Sequence, residues 1–155
     1  MKLEHRNPAD PIEIGQRPGH LIWRAQQRGW RLFREEVGTS DITPVQASIL
    51  LVIASQPGID QRTLARTIAL DKATTGNVVA RLLKRGLITR AVPPSDRRVK
   101  ALYLTRKGKK LNVKLGGVTR RARLRLLKGL TKDEEKILIR LLRKITGIAN
   151  EEQIS

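Results

Sequence analysis

Residues 60–105, DQRTLARTIALDKATTGNVVARLLKRGLITRAVPPSDRRVKALYLT, constrain the fold more than any other stretch. Two short helical patterns sit nearly end to end, and a basic, proline-bearing hairpin follows at once. The second helical segment, 71–85, has two unlike faces. Val79, Leu82 and Leu83 recur at helical spacing and can be buried. Lys72, Thr74, Asn77, Arg81 and Lys84 carry donors on the other side, with Thr75 near the start. Such a helix can pack on a domain while reading a polyanion.

The charge balance points to the same class of partner. Lys and Arg number 32 against 14 Asp and Glu in 155 residues, a formal charge of +18. An excess of that size speaks to partners rather than to fold. Nucleic acid comes first, a membrane surface second, and small anions are compatible with either. There are no cysteines, which excludes disulfides, thiolate metal sites and a thiol switch. His5 and His20 cannot build a metal cluster at ligand spacing, so neither metal nor cofactor is expected. The N-terminal residues mix charges and prolines, unlike a signal peptide. The longest apolar run, 49–54, falls far short of the roughly 18 residues of a membrane span. A soluble cytoplasmic protein with no membrane partner is the expectation, of a length that buries a real core in one domain.

Taken in order, residues 1–18 read as an irregular arm broken by Pro8, Pro11 and Pro18. Residues 19–37 turn helical, with Leu21, Ile22, Ala25, Gly29, Leu32 and Phe33 on one face and Trp23 and Trp30 at its edge. Gly29 in mid-helix suggests a closely packed partner helix. Thr43, Pro44 and Gln46 spell a capping box with proline at the first helical position, and the apolar run after it belongs in the core. Asp60 caps a third helix that buries Leu64, Ala65 and Ile68. A break at 69–70 leads to Asp71, which caps the two-faced helix, and Gly86 stops it. Residues 87–90 and 99–104 read as strands, joined by the polar tip AVPPSDRR. From Arg106 a long helix keeps the stripe Leu111, Leu115, Val118, Ala122 and Leu126. Thr131 and Glu134 form a second capping box before a helix with a broad apolar face from Ile137 to Ile148. The terminal helices, 19–38 and 106–155, have more apolar face than a small core needs. A homodimer built from them around a DNA-binding lobe at 43–105 is expected.

Helix, turn, helix and basic hairpin in succession is the order of a winged helix-turn-helix: mainly α, with a small β-hairpin wing. The residue types suit DNA. Lys72 and Arg81 can meet phosphate or guanine, the hydroxyls and methyls of Thr74 and Thr75 can contact thymine, and Asn77 can pair with adenine. Arg97 and Arg98 at the hairpin tip can enter a narrow minor groove. The bland alternative is a solvated helix in an ordinary three-helix core.

LDKATTGNVVARLLKRGLITR followed by SDRRVKALYLTRKGK, with its D-R-R tip and L-Y-L-T strand end, resembles the multiple-antibiotic-resistance regulators, the MarR family. The resemblance covers the order of elements from residue 19 onward. It implies a homodimeric transcription factor, commonly a repressor, bound to a pseudo-palindromic operator, and not an enzyme. It implies that Lys72, Thr74, Thr75, Asn77 and Arg81 face DNA, that Gln61, Arg62, Thr63 and Arg90 lie near phosphates, and that Arg97 or Arg98 enters the minor groove from the Ser95–Arg98 tip, oriented by Asp96. It also implies release by a small anionic, often aromatic, ligand bound between the dimer helices and the DNA-binding lobe. The cysteine-dependent peroxide-sensing branch is excluded.

The residues add a suggestion of their own. His20, Arg24, Gln27 and Arg31 share one side of the first helix beside Trp23 and Trp30, which suits an aromatic carboxylate, and the helix opening GHLIWRAQQR resembles family members that respond to aromatic acids or their coenzyme A thioesters. Against it stands packing of the tryptophans in a dimer with the arginines solvated. The cationic run 120–125 can be a solvated face, a further phosphate contact, or a grip on ligand phosphates. The rival functions are a nucleoid-type protein binding DNA without sequence preference, and an enzyme or ligand-binding module centred on His20 and Arg24.

Overall fold

The computed structural model describes residues 14–91 and 101–148. Six helices and three strands follow one another there: α1 Pro18–Val37, α2 Pro44–Ser55, β1 Ile59–Asp60, α3 Gln61–Thr67, α4 Lys72–Lys84, β2 Ile88–Ala91, β3 Ala101–Leu104, α5 Arg106–Leu126 and α6 Lys132–Thr146.

The helix starts follow local chemistry. Thr43 and Gln46 exchange side-chain and backbone hydrogen bonds across the first turn of α2, and Thr131 and Glu134 do the same for α6. Asp60, Asp71 and Thr105 each accept backbone N–H groups that would otherwise lack a partner. Ala69 bridges α3 and α4 with a φ of 53°, turning the chain sharply enough to set the two helices against each other.

α2 is the centre of the core. Ile49, Leu50 and Ile53 are essentially inaccessible, as are Leu64 of α3, Val79 and Leu82 of α4, Leu102 of β3 and Leu115 of α5. Each such side chain contributes about 1.5–3 kcal/mol by leaving water. The sheet order is β1-β3-β2, antiparallel throughout, with Ile59 and Arg90 both opposite Leu102. β3 is therefore central, and Ala101 and Leu102 are both buried while Tyr103 is exposed. Strand β1 has no counterpart among the sequence expectations.

α1 lies along α5. A side chain added at Gly29 would touch Leu126 at 3.6 Å, so the partner expected from that glycine is α5. Glu36 accepts from Arg121 at 2.7 Å and from Arg125 at 2.9 Å, and Glu35 from Arg125 at 2.6 Å. Arg123 pairs with Glu135 of α6. Three arginines of the 120–125 run thus bind acids of neighbouring helices.

The apolar face of α1 splits. Leu32 and Phe33 are buried, but Leu21 and Ile22, expected on the same face, are 49% and 42% exposed. α6 buries no residue, and Ile137, Leu141 and Ile145 are 48%, 48% and 64% exposed.

Candidate nucleic-acid interface

The capping carboxylate of Asp71 fixes where α4 begins. It accepts the Thr74 N–H at 2.8 Å. Hydrogen bonding from the Thr74 side chain, then from its backbone, holds the Asp71 carboxyl below its ordinary range. From that start, 3.6 residues per turn decide which side chains look outward. Val79 and Leu82 are anchored in the core, and Lys72, Thr74, Asn77 and Arg81 are exposed on the other side.

Thr75 does not join them. It is completely buried, and its Oγ1 donates to the carbonyl of Asp71 at 2.8 Å. The expectation that Thr75 faces DNA is corrected: it stands four residues before Val79 and seven before Leu82, on their side of the helix.

α3 and β2 frame this surface. Gln61 is half-buried, with its side chain close to Gly76 of α4, and its Oε1 accepts from Arg90 of β2 at 3.3 Å. One amide therefore joins α3, α4 and β2. The Thr63 hydroxyl is committed to the helix start, donating to Asp60 at 2.6 Å and accepting from Arg66 at 3.3 Å. These bonds, the Thr63 hydroxyl first, lower the Asp60 pKa. Arg62 and Arg90 are exposed at the edge of the same surface. Ser95, Asp96, Arg97 and Arg98 lie outside the described residues.

The aromatic and cationic strip expected on α1 is divided between two clefts. Trp23, Arg24 and Gln27 line one of about 630 Å³, together with Arg28, Arg31 and Arg34. Trp30 lines another of about 550 Å³, which also takes in Arg34, residues of the 38–45 segment, and Thr74 and Val78 of α4. His20 lines neither, its ring stacking on Trp23 with centroids 5.9 Å apart. The part played by Arg34, Ser40 and Asp41 was not legible in the sequence, since only the fold brings them against α4. Among the described residues no group of three or more His, Cys, Asp or Glu is placed to hold a metal ion.

A helix-turn-helix whose second helix turns donors outward, backed by a three-stranded sheet, defines a winged-helix DNA-binding protein. Comparison narrows the class. Residues 40–99 match the model of the MarR family. The PcaV transcriptional regulator of Streptomyces coelicolor, solved with its natural ligand, is 32% identical with a TM-score of 0.81, over 91% of this chain and 99% of that one. The transcriptional repressor CouR, bound to a 23-mer DNA duplex, is 30% identical with a TM-score of 0.80, over 90% and 99%. Bordetella bronchiseptica BpsR, whose DNA binding is regulated by 6-hydroxynicotinic acid, is 28% identical with a TM-score of 0.81, over 90% and 98%. The chain belongs to the MarR family and is a transcriptional regulator rather than an enzyme.

Proposed function

We propose that the protein is a homodimeric, ligand-responsive repressor that binds a pseudo-palindromic operator in the cytoplasm and is released by a small anionic aromatic effector, an aromatic acid or its coenzyme A thioester. The observation that carries the DNA half is the division of α4, with Val79 and Leu82 fully buried behind exposed Lys72, Thr74, Asn77 and Arg81. Asn77 and Thr74 address base edges, Lys72 and Arg81 the adjoining backbone or guanine, and Arg62 and Arg90 the phosphates beside them. Gln61 and Thr63 act behind these by fixing Arg90 and the start of α3. Arg97 or Arg98, set by Asp96 within the tip that Ser95 opens, is assigned to the minor groove on the sequence motif. Arg98→Ala should weaken operator binding and leave thermal stability unchanged; undiminished affinity would remove the wing from the account.

The exposed apolar faces of α6 and the first half of α1 are assigned to the dimer, with 43–105 as the lobe they carry and 1–18 as an arm outside it. Two α4 helices would then enter major grooves about 34 Å apart, one helical turn. The cleft between Trp30 and Thr74 is assigned to the effector because one of its walls is the recognition helix itself. A ligand there need only favour one lobe spacing over another to shift the protein away from DNA. The regulation of BpsR by 6-hydroxynicotinic acid, an aromatic acid, and the DNA-bound state of CouR support the two halves of this reading.

The test is release of a fluorescent operator duplex by 6-hydroxynicotinate, 4-hydroxybenzoate and aromatic acyl-coenzyme A esters, with thermal shift in parallel. Release together with a raised melting temperature is expected; no response to any of them would refute the effector half. The charge of +18 keeps one rival in view, sequence-independent binding. Raised salt separates the two, because phosphate-only affinity collapses while base readout keeps its preference.

A further inference from the structure

The cleft between Trp30 and Thr74 has two walls carried by different elements. One is the 38–45 segment, from the end of α1 to the first turn of α2. The other is α4, through Thr74 and Val78. Among the described residues, the hydrogen bonds and ion pairs between these walls all come from one side chain, Arg85 at the C-cap of α4. Its Nη1 donates to the Asp41 carbonyl and, at 3.4 Å, to Oε1 of Gln46. The Asp41 carboxylate, 3.9 Å away and almost fully exposed, adds little.

Both ends of this tether are fixed. Gln46 is buried, its Oε1 accepting the Thr43 N–H at 3.1 Å while Thr43 Oγ1 accepts the Gln46 N–H at 3.2 Å. On the other side, the Arg85 carbonyl accepts from Lys107 of α5 at 3.0 Å. Thr74 and Arg85 stand roughly 16 Å apart along α4, at 1.5 Å per residue. A molecule wedged against Thr74 and Val78 therefore pushes the first half of a helix whose far end is held. A rod pushed at one end and held at the other tilts. The pushed half also carries Lys72, Thr74 and Asn77.

We propose that Arg85 is a positioning residue, the pivot that converts occupancy of this cleft into a tilt of α4. The inference rests on the reading of this cleft as the effector site. Without the tether the two walls can part evenly, and occupancy no longer turns the outward face of α4. A lysine at 85 keeps the charge, but its shorter, flexible stem does not hold an ammonium where Nη1 of Arg85 makes both bonds, so it replaces arginine only in part.

The absence of cysteine makes a covalent test possible. Ser40, exposed on the wall opposite α4, is changed to Cys and labelled with benzyl methanethiosulfonate, which fills the cleft without knowledge of the natural effector. Affinity for an operator selected from random duplexes is measured before and after labelling in Ser40→Cys alone and with Arg85→Ala or Arg85→Lys. Labelling should cost about tenfold in affinity with Arg85 present, the scale of an allosteric coupling. It should cost little with Arg85→Ala and an intermediate amount with Arg85→Lys. An equal loss in all three backgrounds overturns the pivot and leaves the cleft as effector site. No loss in any overturns the cleft reading and the pivot with it. Loss of operator binding by unlabelled Arg85→Ala, with Arg85→Lys equally affected, also overturns the pivot, since Arg85 would then be needed for DNA-competent structure rather than for coupling.

Discussion

Asn77 and Arg81 stand one turn apart on the outward side of α4 and are suited to different work. An Asn amide offers a donor and an acceptor together, the pair that adenine presents in the major groove. Arg81, in the last turn, would meet the phosphate backbone in the proposed interface if it does not reach guanine. Asn77→Ala should therefore erase preference at one base position in each half-site, at a cost of about 1–3 kcal/mol for the matched base; an even loss over all sequences would show that Asn77 reads no base. Arg81→Ala should weaken every duplex alike and reduce the salt slope by about one per site. Thr75 shows how much a single residue reveals in the sequence. Its hydroxyl suggests an outward role beside Thr74, yet its spacing from Val79 and Leu82 places it inward, and the spacing decides. Thr75→Ala should lower thermal stability without altering operator preference, because the hydroxyl bonds only the first turn of its own helix. An altered preference would return Thr75 to the DNA surface.

At the scale of elements, what is legible depends on how far apart the interacting residues lie. The caps at Thr43, Asp60, Asp71 and Thr131 act within three residues, and each starts the helix its pattern promises. β1 was not legible, because two residues acquire strand geometry only from β3, some forty positions later. Gly108 carries the same lesson. A side chain there would clash with the Leu87 carbonyl oxygen, a contact that only the docking of α5 on the exit from α4 creates. Gly108→Ala should destabilise the fold far more than a Gly→Ala change at an exposed helical site, as thermal melting would show; an unchanged midpoint would argue against that close approach. The ion pairs between α1 and α5 make their own prediction. Hydrogen bonds from Arg121, then Arg125, hold the Glu36 carboxyl below its ordinary value of 4.5. A carboxyl lowered in the folded state adds stability that is fully present above that ordinary value and is lost as the pH falls through the lower, folded one. Glu36→Gln should thus lower the melting temperature near neutrality and converge with the parent at acid pH. A constant gap down to acid pH would contradict it.

For the whole molecule, +18 and a row of uncovered apolar side chains on α6 pull in different directions. The charge draws the chain to any polyanion, whereas the apolar face asks for a specific protein surface. The proposed symmetric dimer would reconcile them by giving the charge a fixed spacing on DNA. Leu141→Asp with Ile145→Asp should halve the mass seen by light scattering and collapse operator affinity while leaving helix content intact; an unchanged mass would remove α6 from the interface. The surplus apolar faces were legible in the sequence as patterns, but which of α1's apolar residues stay uncovered was not, since that depends on where α5 lies across it. The central claim, that α4 reads sequence on two symmetric half-sites, has a direct measurement. Selection from random duplexes at raised salt, followed by footprinting, should yield an inverted repeat with centres about one helical turn apart, and Asn77→Ala should lose preference at the same position in both halves. Equal affinity for selected and random duplexes, with an unbroken footprint, would contradict it.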